Sequence, residues 1–181
     1  MAKTGKPQKR RAAQAFVDHL NSVLNGTVSD SRLSLISLPF DEAAFDVARL
    51  VESVPVPLDV FGGPLRLFVR QMITVVGDHC QTEAYSYRLQ TEETPGSWLI
   101  RWEYNRDPPR RDYPYPPAHL HVNGEFEDLG SMARLHLPTR RVPLELVIWH
   151  LIAEWGLTAK TNDWQAILRE SIKGFDQRRT D

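Results

Sequence analysis

Period-two alternation in the middle of the chain limits the fold more than any other feature. Ser97–Asn105, Ala118–Asn123 and Ala133–Leu137 each alternate apolar with polar residues. That is the pattern of half-buried β-strands, whose successive side chains point to opposite faces. After the first of them, the run Asp107-Pro-Pro-Arg-Arg-Asp-Tyr-Pro-Tyr-Pro-Pro carries five prolines. Proline lacks a backbone donor, so this run cannot pair inside a sheet and must loop out.

Parity sorts the side chains. In Ser97–Asn105, Trp98, Ile100, Trp102 and Tyr104 share one face, and Leu99, Arg101, Glu103 and Asn105 the other. Leu120 and Val122 oppose His119, His121 and Asn123, while Ala133, Leu135 and Leu137 oppose Arg134 and His136. An earlier strand, Thr82–Gln90, sets Tyr85, Tyr87 and Leu89 against Ser86, Arg88 and Gln90. With the apolar faces turned to a common core, Arg88, Arg101, Glu103, His119, His121, Arg134 and His136 project together from the opposite side.

Helical periodicity brackets these strands. From about Pro7, Phe16, Leu20, Val23 and Leu24 recur at helical spacing, with Gly26 past the end. Asp41 caps an expected helix to Glu52 with Phe45 and Ala48 inward. Pro143 opens a helix closed by Gly156, and Asn162 caps a last one with Trp164, Ile167, Leu168, Ser171, Ile172 and Phe175 inward. Arg32–Leu38 reads as a short strand. Leu65–Val76 reads as a buried strand, with a short helix as the alternative. The sum is an α+β fold: a central antiparallel sheet with N-terminal helices and two C-terminal helices packed on one face. Residues 1–10 are expected as a basic flexible tail and 11–181 as a single domain.

The chain has 181 residues, with 22 basic against 23 acidic, so no overall field draws it to a polyanion. Its one cysteine, Cys80, excludes an intramolecular disulfide and fits a reducing compartment. The longest apolar run, Leu144–Ala153, holds Glu145 and His150 and is too short to span a bilayer. A cytoplasmic protein without membrane contact is therefore expected. Nothing in the sequence sets an oligomeric state.

The residue types on the polar face admit several chemistries. Histidine titrates near neutrality, so one imidazole can take a proton while another gives one, and arginine can stabilise charge growing on phosphate. His119, His121, His136, Arg101, Glu103 and Arg134 are thus candidate groups for a protein acting on RNA, either by metal-independent cleavage, which needs no cofactor, or as an RNA-binding effector. Alternatively His119-x-His121, completed by His136 or Glu125, holds a metal. The spacing His119-x-His121-x-x-x-Glu125 matches the ligand core of the first cupin motif, without its flanking glycine or the second cupin motif. A third reading is a non-enzymatic interaction module, in which the proline loop with Tyr113 and Tyr115, and Trp149 or Trp164, forms an adhesive surface. The plainest is a solvated sheet face with cross-strand ion pairs. His19, His79 and His150 are expected as surface or cap residues without partners.

The central segment also resembles the TumE-like toxins of bacterial toxin–antitoxin modules. The likeness lies in the strand with Tyr85 and Tyr87, the run Arg101-Trp102-Glu103-Tyr104-Asn105, the loop to Pro117-Ala118-His119-Leu120-His121, and the helix near Pro143. In the family an Arg-aromatic-Asp-Asn run and a Pro-His-x-His run precede a C-terminal helix. The resemblance covers residues 82–155. This chain departs from it in having Glu103 for the acid, an extra residue before Asn105, and a longer N-terminal part. The resemblance implies a small toxin-like protein acting on RNA and held inactive by a cognate antitoxin-like partner. It assigns no catalytic residue.

Overall fold

The computed structural model describes residues 5–38, 43–54, 65–92, 94, 96–107, 115–126, 130–131 and 135–177, with backbone alone at 46–54, 125–126, 130–131 and 174–177. Helix α1 (Lys6–Thr27) comes first, followed by β1 (Ser34–Ser37), β2 (Ala44–Val54), β3 (Leu65–Val76), β4 (His79–Gln90), β5 (Trp98–Asn105) and β6 (Ala118–Val122). The short strands β7 (Glu125–Phe126), β8 (Gly130–Ser131) and β9 (Leu137–Pro138) precede α2 (Leu144–Ala153) and α3 (Trp164–Gln177). Strands β1 to β6 and β9 form one sheet in that order, and β7 pairs with β8 apart from it. Every pairing is antiparallel. The expected α+β class holds.

The longest ladder is the β3–β4 hairpin. β3 is rich in β-branched and aromatic residues, and Leu65, Leu67, Val69, Gln71, Ile73 and Val75 alternate as its buried set. Val76 pairs with His79 across the two-residue turn Gly77-Asp78, where Gly77 has φ +65°, a conformation that costs glycine nothing. The strand reading of Leu65–Val76 is correct.

The expected helix from Asp41 to Glu52 is instead β2; Asp41 itself lies outside the described residues. Ala44–Val51 pairs continuously with Leu67–Thr74, and Ser34–Ser37 pairs along its other edge. A short amphipathic segment reads equally well at either period, and here the ladder hydrogen bonds offered by two neighbouring strands override helix propensity. One helix therefore precedes the sheet, not two. It begins at Lys6, so Lys6, Lys9 and Arg10 of the basic stretch are helical.

The three described helices all lie on the face carrying Tyr85, Tyr87, Trp102 and Tyr104. Ala13, Val17, Leu20 and Leu24 of α1, Leu144, Val147, Ile148 and Leu151 of α2, and Leu168 of α3 join those aromatic residues in one buried cluster. Asn21, buried in α1, is matched at both ends: its amide donates to the Leu33 carbonyl at 3.2 Å and its Oδ1 accepts from the Leu33 amide at 2.6 Å. The pair ties the start of the sheet to α1. Gly26 allows α3 to approach, since a Cβ there would stand 3.0 Å from Ile167 Cδ1. At the entry to α2 the Val142 amide donates to the Tyr85 hydroxyl at 2.7 Å. Pro143, extended at φ −70° and ψ 159°, then starts the helix. Among the described residues no helix is long and apolar enough to cross a membrane.

Two β-bulges correct the parity drawn from sequence. Opposite Leu89 and Gln90, β5 spends an extra residue, Leu99: Leu89 faces Ile100, but Gln90 faces Trp98. The phase slips by one, so Trp98 turns to the polar face, where its ring lies 4.8 Å from the Arg101 guanidinium, and Leu99 packs against the core. In β4 the extra residue is Glu83, so Thr82 and Cys80 share the helix-side face with Tyr85 and Tyr87. Of the third expected strand, Ala133–Leu137, only Leu137 pairs among the described residues, in β9, and Leu135 is exposed rather than core. Residues 132–134 lie outside the described residues.

Candidate functional site

Register converts the polar parity into two rows across the sheet. In one, Arg70 faces Ser86, Ser86 faces Glu103, and Glu103 faces His119. In the other, Phe68 faces Arg88, Arg88 faces Arg101, and Arg101 faces His121. β9 pairs Pro138 with His119, which brings His136 alongside His121. Ring centroids of His121 and His136 are 4.2 Å apart, and each lies 5.0 Å from His119. One ring nitrogen from each of the three falls within 4.8 Å of the others. The expected convergence of His119, His121, His136, Arg101 and Glu103 is met. Arg134, and the Glu125 side chain, lie outside what the structure describes.

The face is not wet where the histidines stand. His119 is 5% exposed and His121 only 2%, less than the Leu120 between them. Two aromatic side chains close over them. Tyr115 stacks on His136, with centroids 3.4 Å apart and planes 11° from parallel, and Trp98 meets His121 edge-on at 6.1 Å. Trp98 reaches that place only because of the Leu99 bulge, so parity assigned it to the core. Tyr115 belongs to the proline loop expected as an adhesive surface. The signal that could have found it is the rigid step Tyr115-Pro116-Pro117 placed just before β6, since paired prolines hold a neighbouring ring in one direction.

Hydrogen bonding sets the histidine protons. His119 Nδ1 lies 2.8 Å from the Pro116 carbonyl, which can only accept, so Nδ1 carries the proton. His119 Nε2 then stands 3.5 Å from Glu103 Oε2, and His121 Nε2 stands 3.2 Å from the same oxygen. Neither His121 nitrogen has a hydrogen-bonding partner of acceptable geometry. Glu103 Oε1 is directed away, toward Arg101 Nε at 3.3 Å and the Ser86 hydroxyl at 3.5 Å. In its neutral form, with the proton on Nδ1, His119 turns the Nε2 lone pair on a carboxylate oxygen. Two acceptors in that position repel unless a proton or a metal ion lies between them. Burial foremost, then the Arg101 guanidinium, push the His121 imidazole below its ordinary pKa, which favours the neutral ring that ligates metals.

The separations suit coordination. At metal–ligand distances of about 2.1 Å, adjacent ligand atoms stand about 3.0 Å apart on an octahedral ion and about 3.4 Å on a tetrahedral one, close to the 3.2 and 3.5 Å between Glu103 Oε2 and the two imidazoles. The Nδ1–H of His119 on a backbone carbonyl is the outer hydrogen bond that metal-ligating histidines use to fix their tautomer.

Comparison with protein-family models, with characterised proteins and with solved structures found no match for this chain.

Beside the cluster a cleft of about 220 Å³ runs along the first row, lined by Arg70, Ser86, Glu103, Asn105, Pro117 and His119. Its neighbour row is electrostatically unbalanced. Arg88 and Arg101 face each other directly, and Glu103 is the one carboxylate paired with either among the described residues. Like charges opposite one another in a sheet are destabilising. Arg88 is held by the Phe68 ring, 4.0 Å from its guanidinium, and burial followed by Arg101 lowers its pKa.

Away from this face, His79 and His150 are exposed as expected. His19 is not without partners: its Nε2 lies 2.8 Å from the Ser171 hydroxyl. The tryptophans read as adhesive face each other instead, Trp149 and Trp164 meeting edge-on at 5.0 Å.

Proposed function

We propose that His119, His121 and His136, with Glu103, form a divalent transition-metal centre, and that the protein is a metal-dependent enzyme acting on a small anionic substrate. The observation that carries this reading is the confrontation at Glu103 Oε2, where two nearly buried imidazole nitrogens converge on one carboxylate oxygen. Bound there, the ion would supply Lewis-acid polarisation of a substrate oxygen or an activated water. Four protein ligands leave an octahedral ion two open positions, whereas they would close a tetrahedral zinc site.

The chain's own residues then have distinct tasks. Arg101 holds Glu103 through Oε1 and leaves Oε2 to the histidines. The Pro116 carbonyl orients His119, and Tyr115 orients His136. Arg88 and Arg101 supply the excess positive charge that an anionic substrate would neutralise, and Arg70 lines the adjacent cleft. Trp98 and Tyr115 limit the access of water.

Purified protein should bind about one manganese, iron, cobalt or nickel ion per chain by elemental analysis and by calorimetric titration. The His119→Ala and His136→Ala variants should lose that binding. Failure of all four ions to bind the intact protein at micromolar concentration overturns the reading.

A second reading follows the TumE-like resemblance: the same histidines act as acid and base on RNA, with a cognate antitoxin-like partner. The three guanidinium groups of Arg70, Arg88 and Arg101 support it. The near-complete burial of His119 and His121 weighs against it, since a polynucleotide backbone would have to reach them. Cleavage of RNA by metal-free protein, lost in His121→Ala, would establish it in place of the metal centre.

A further inference from the structure

The opposite face of the sheet carries a cavity of about 380 Å³, bounded by β3, β4 and the three described helices and open on one side. One wall is aromatic: the Tyr85 and Tyr87 rings stack with centroids 4.5 Å apart and planes 5° from parallel. Burial lifts the Tyr85 hydroxyl to about 12 and Tyr87 well above its ordinary value, so both keep their protons.

Two polar groups on the walls are incompletely used, and a third is a buried carboxylate. Tyr87 is fully buried, and its hydroxyl has no hydrogen-bond partner. Gln71, also buried, donates its amide to the Thr82 hydroxyl at 3.1 Å, while its Oε1 has none. Glu145 is 5% exposed and accepts from the Ser171 hydroxyl at 2.5 Å. Because that hydroxyl gives its one hydrogen to Glu145, the 2.8 Å contact from His19 Nε2 is a donation to Ser171. The arrangement is a chain of donors running into a buried carboxylate, not a nucleophile activated by histidine. Burial works to raise the Glu145 pKa, but His19, whose Nε2 lies 3.9 Å from Oε1, and the Ser171 hydrogen bond outweigh it and hold the group anionic.

Unpaired polar atoms are scarce in native interiors, and two of them share this cavity with a carboxylate. Gln71 Oε1 lacks a donor and Glu145 carries a negative charge, and a primary ammonium supplies both a positive charge and three N–H donors. Tyrosine rings attract a cation over their faces. We infer that this cavity binds a small organic ammonium ion, its head between Glu145 and Gln71 and its apolar part on the Tyr85–Tyr87 wall. Two guanidinium groups lie on the same lining, but both are engaged elsewhere, Arg106 by Glu83 at 3.3 Å and Arg141 over the Tyr104 ring at 4.7 Å, so neither takes the place of the ligand's charge. The exposed His19 and His79 mark the open side of the cavity.

The test is titration of the full chain with phenethylamine and butylamine, and with their neutral counterparts 2-phenylethanol and butanol, followed by amide NMR shifts and calorimetry. The amines should bind with shifts centred on Gln71, Thr82 and Glu145, and the alcohols at least about tenfold more weakly, the loss of one charge-assisted contact. Glu145→Gln should weaken amine binding to the level of the alcohols. If that variant does not fold, Gln71→Leu, which removes the unpaired oxygen facing the ammonium head, should still weaken the amines several-fold. Equal binding of alcohols and amines, binding unchanged in the variant that folds, or no shift with either amine at millimolar concentration overturns the inference and leaves a cavity filled by water.

Discussion

Replacing His121 by phenylalanine should reverse its effect on stability according to whether metal is present. The His121 side chain is 3% exposed, and neither ring nitrogen has a hydrogen-bond partner. A buried polar atom left without a partner costs roughly 1–3 kcal/mol. Phenylalanine fills nearly the same space and keeps the edge contact with Trp98. Its slightly larger ring costs less than about 1.5 kcal/mol where packing is tight. In chelator, His121→Phe should therefore equal the wild type or exceed it by about 1 kcal/mol, a Tm higher by about 2–4 °C for a chain of this length. With metal the order inverts. At a hundredfold excess over Kd, a ligand that binds only the folded state adds about 2.7 kcal/mol, or about 5–11 °C. The variant should gain none of it. Scanning calorimetry of both proteins, in chelator and in cobalt or manganese, reads all four values. The reasoning is wrong if the variant melts far below wild type in chelator, because the ring nitrogens were then already satisfied. It is equally wrong if the metal-induced rise survives the substitution.

Stability of the metal-free protein should fall as pH drops below neutrality. Burial lowers the folded-state pKa of His121, so between the unfolded value near 6.5 and that lower value the unfolded chain binds the extra proton, and stability is present above 6.5 and lost below it. Glu145, also held below its ordinary 4.5, adds a second loss as pH falls through the acid range. Urea midpoints measured from neutral to acid pH check this, and His121→Phe should remove the upper part of the decline while leaving the lower. Tyr85→Phe should cost about 1–3 kcal/mol, since the Val142 amide that donates to the hydroxyl at 2.7 Å would lose its acceptor at the entry to α2. A urea midpoint unchanged from wild type would show that water takes over that bond.

The α+β class, the strands around residues 82–122 and the clustering of five candidate residues were legible because strand parity is a local property. Alternation in Arg101-Trp102-Glu103-Tyr104 and His119-Leu120-His121 survives whatever the strands pair with, and a shared core forces the apolar sides to agree. Where one residue is added to one strand, parity fails without a local sign. The Leu99 bulge depends on how β4 and β5 terminate together, and it moved Trp98 from the core to the site. The strand at 44–54 was equally hidden, because a short amphipathic segment takes its period from the neighbours that offer it hydrogen bonds. The pairing of His19 with Ser171, 152 residues apart, has no local signature either.

What the sequence alone determined was therefore which side chains could share a face, since alternation and residue type are written along the chain. Only the tertiary structure decided what surrounds them: that Tyr115 and Trp98 bury the imidazoles, that Glu103 turns one oxygen on two of them, and that a second polar cavity opens beneath the tyrosines. Burial and convergence are properties of elements brought together from distant parts of the chain, and they set the charge state and coordination that residue identity leaves open.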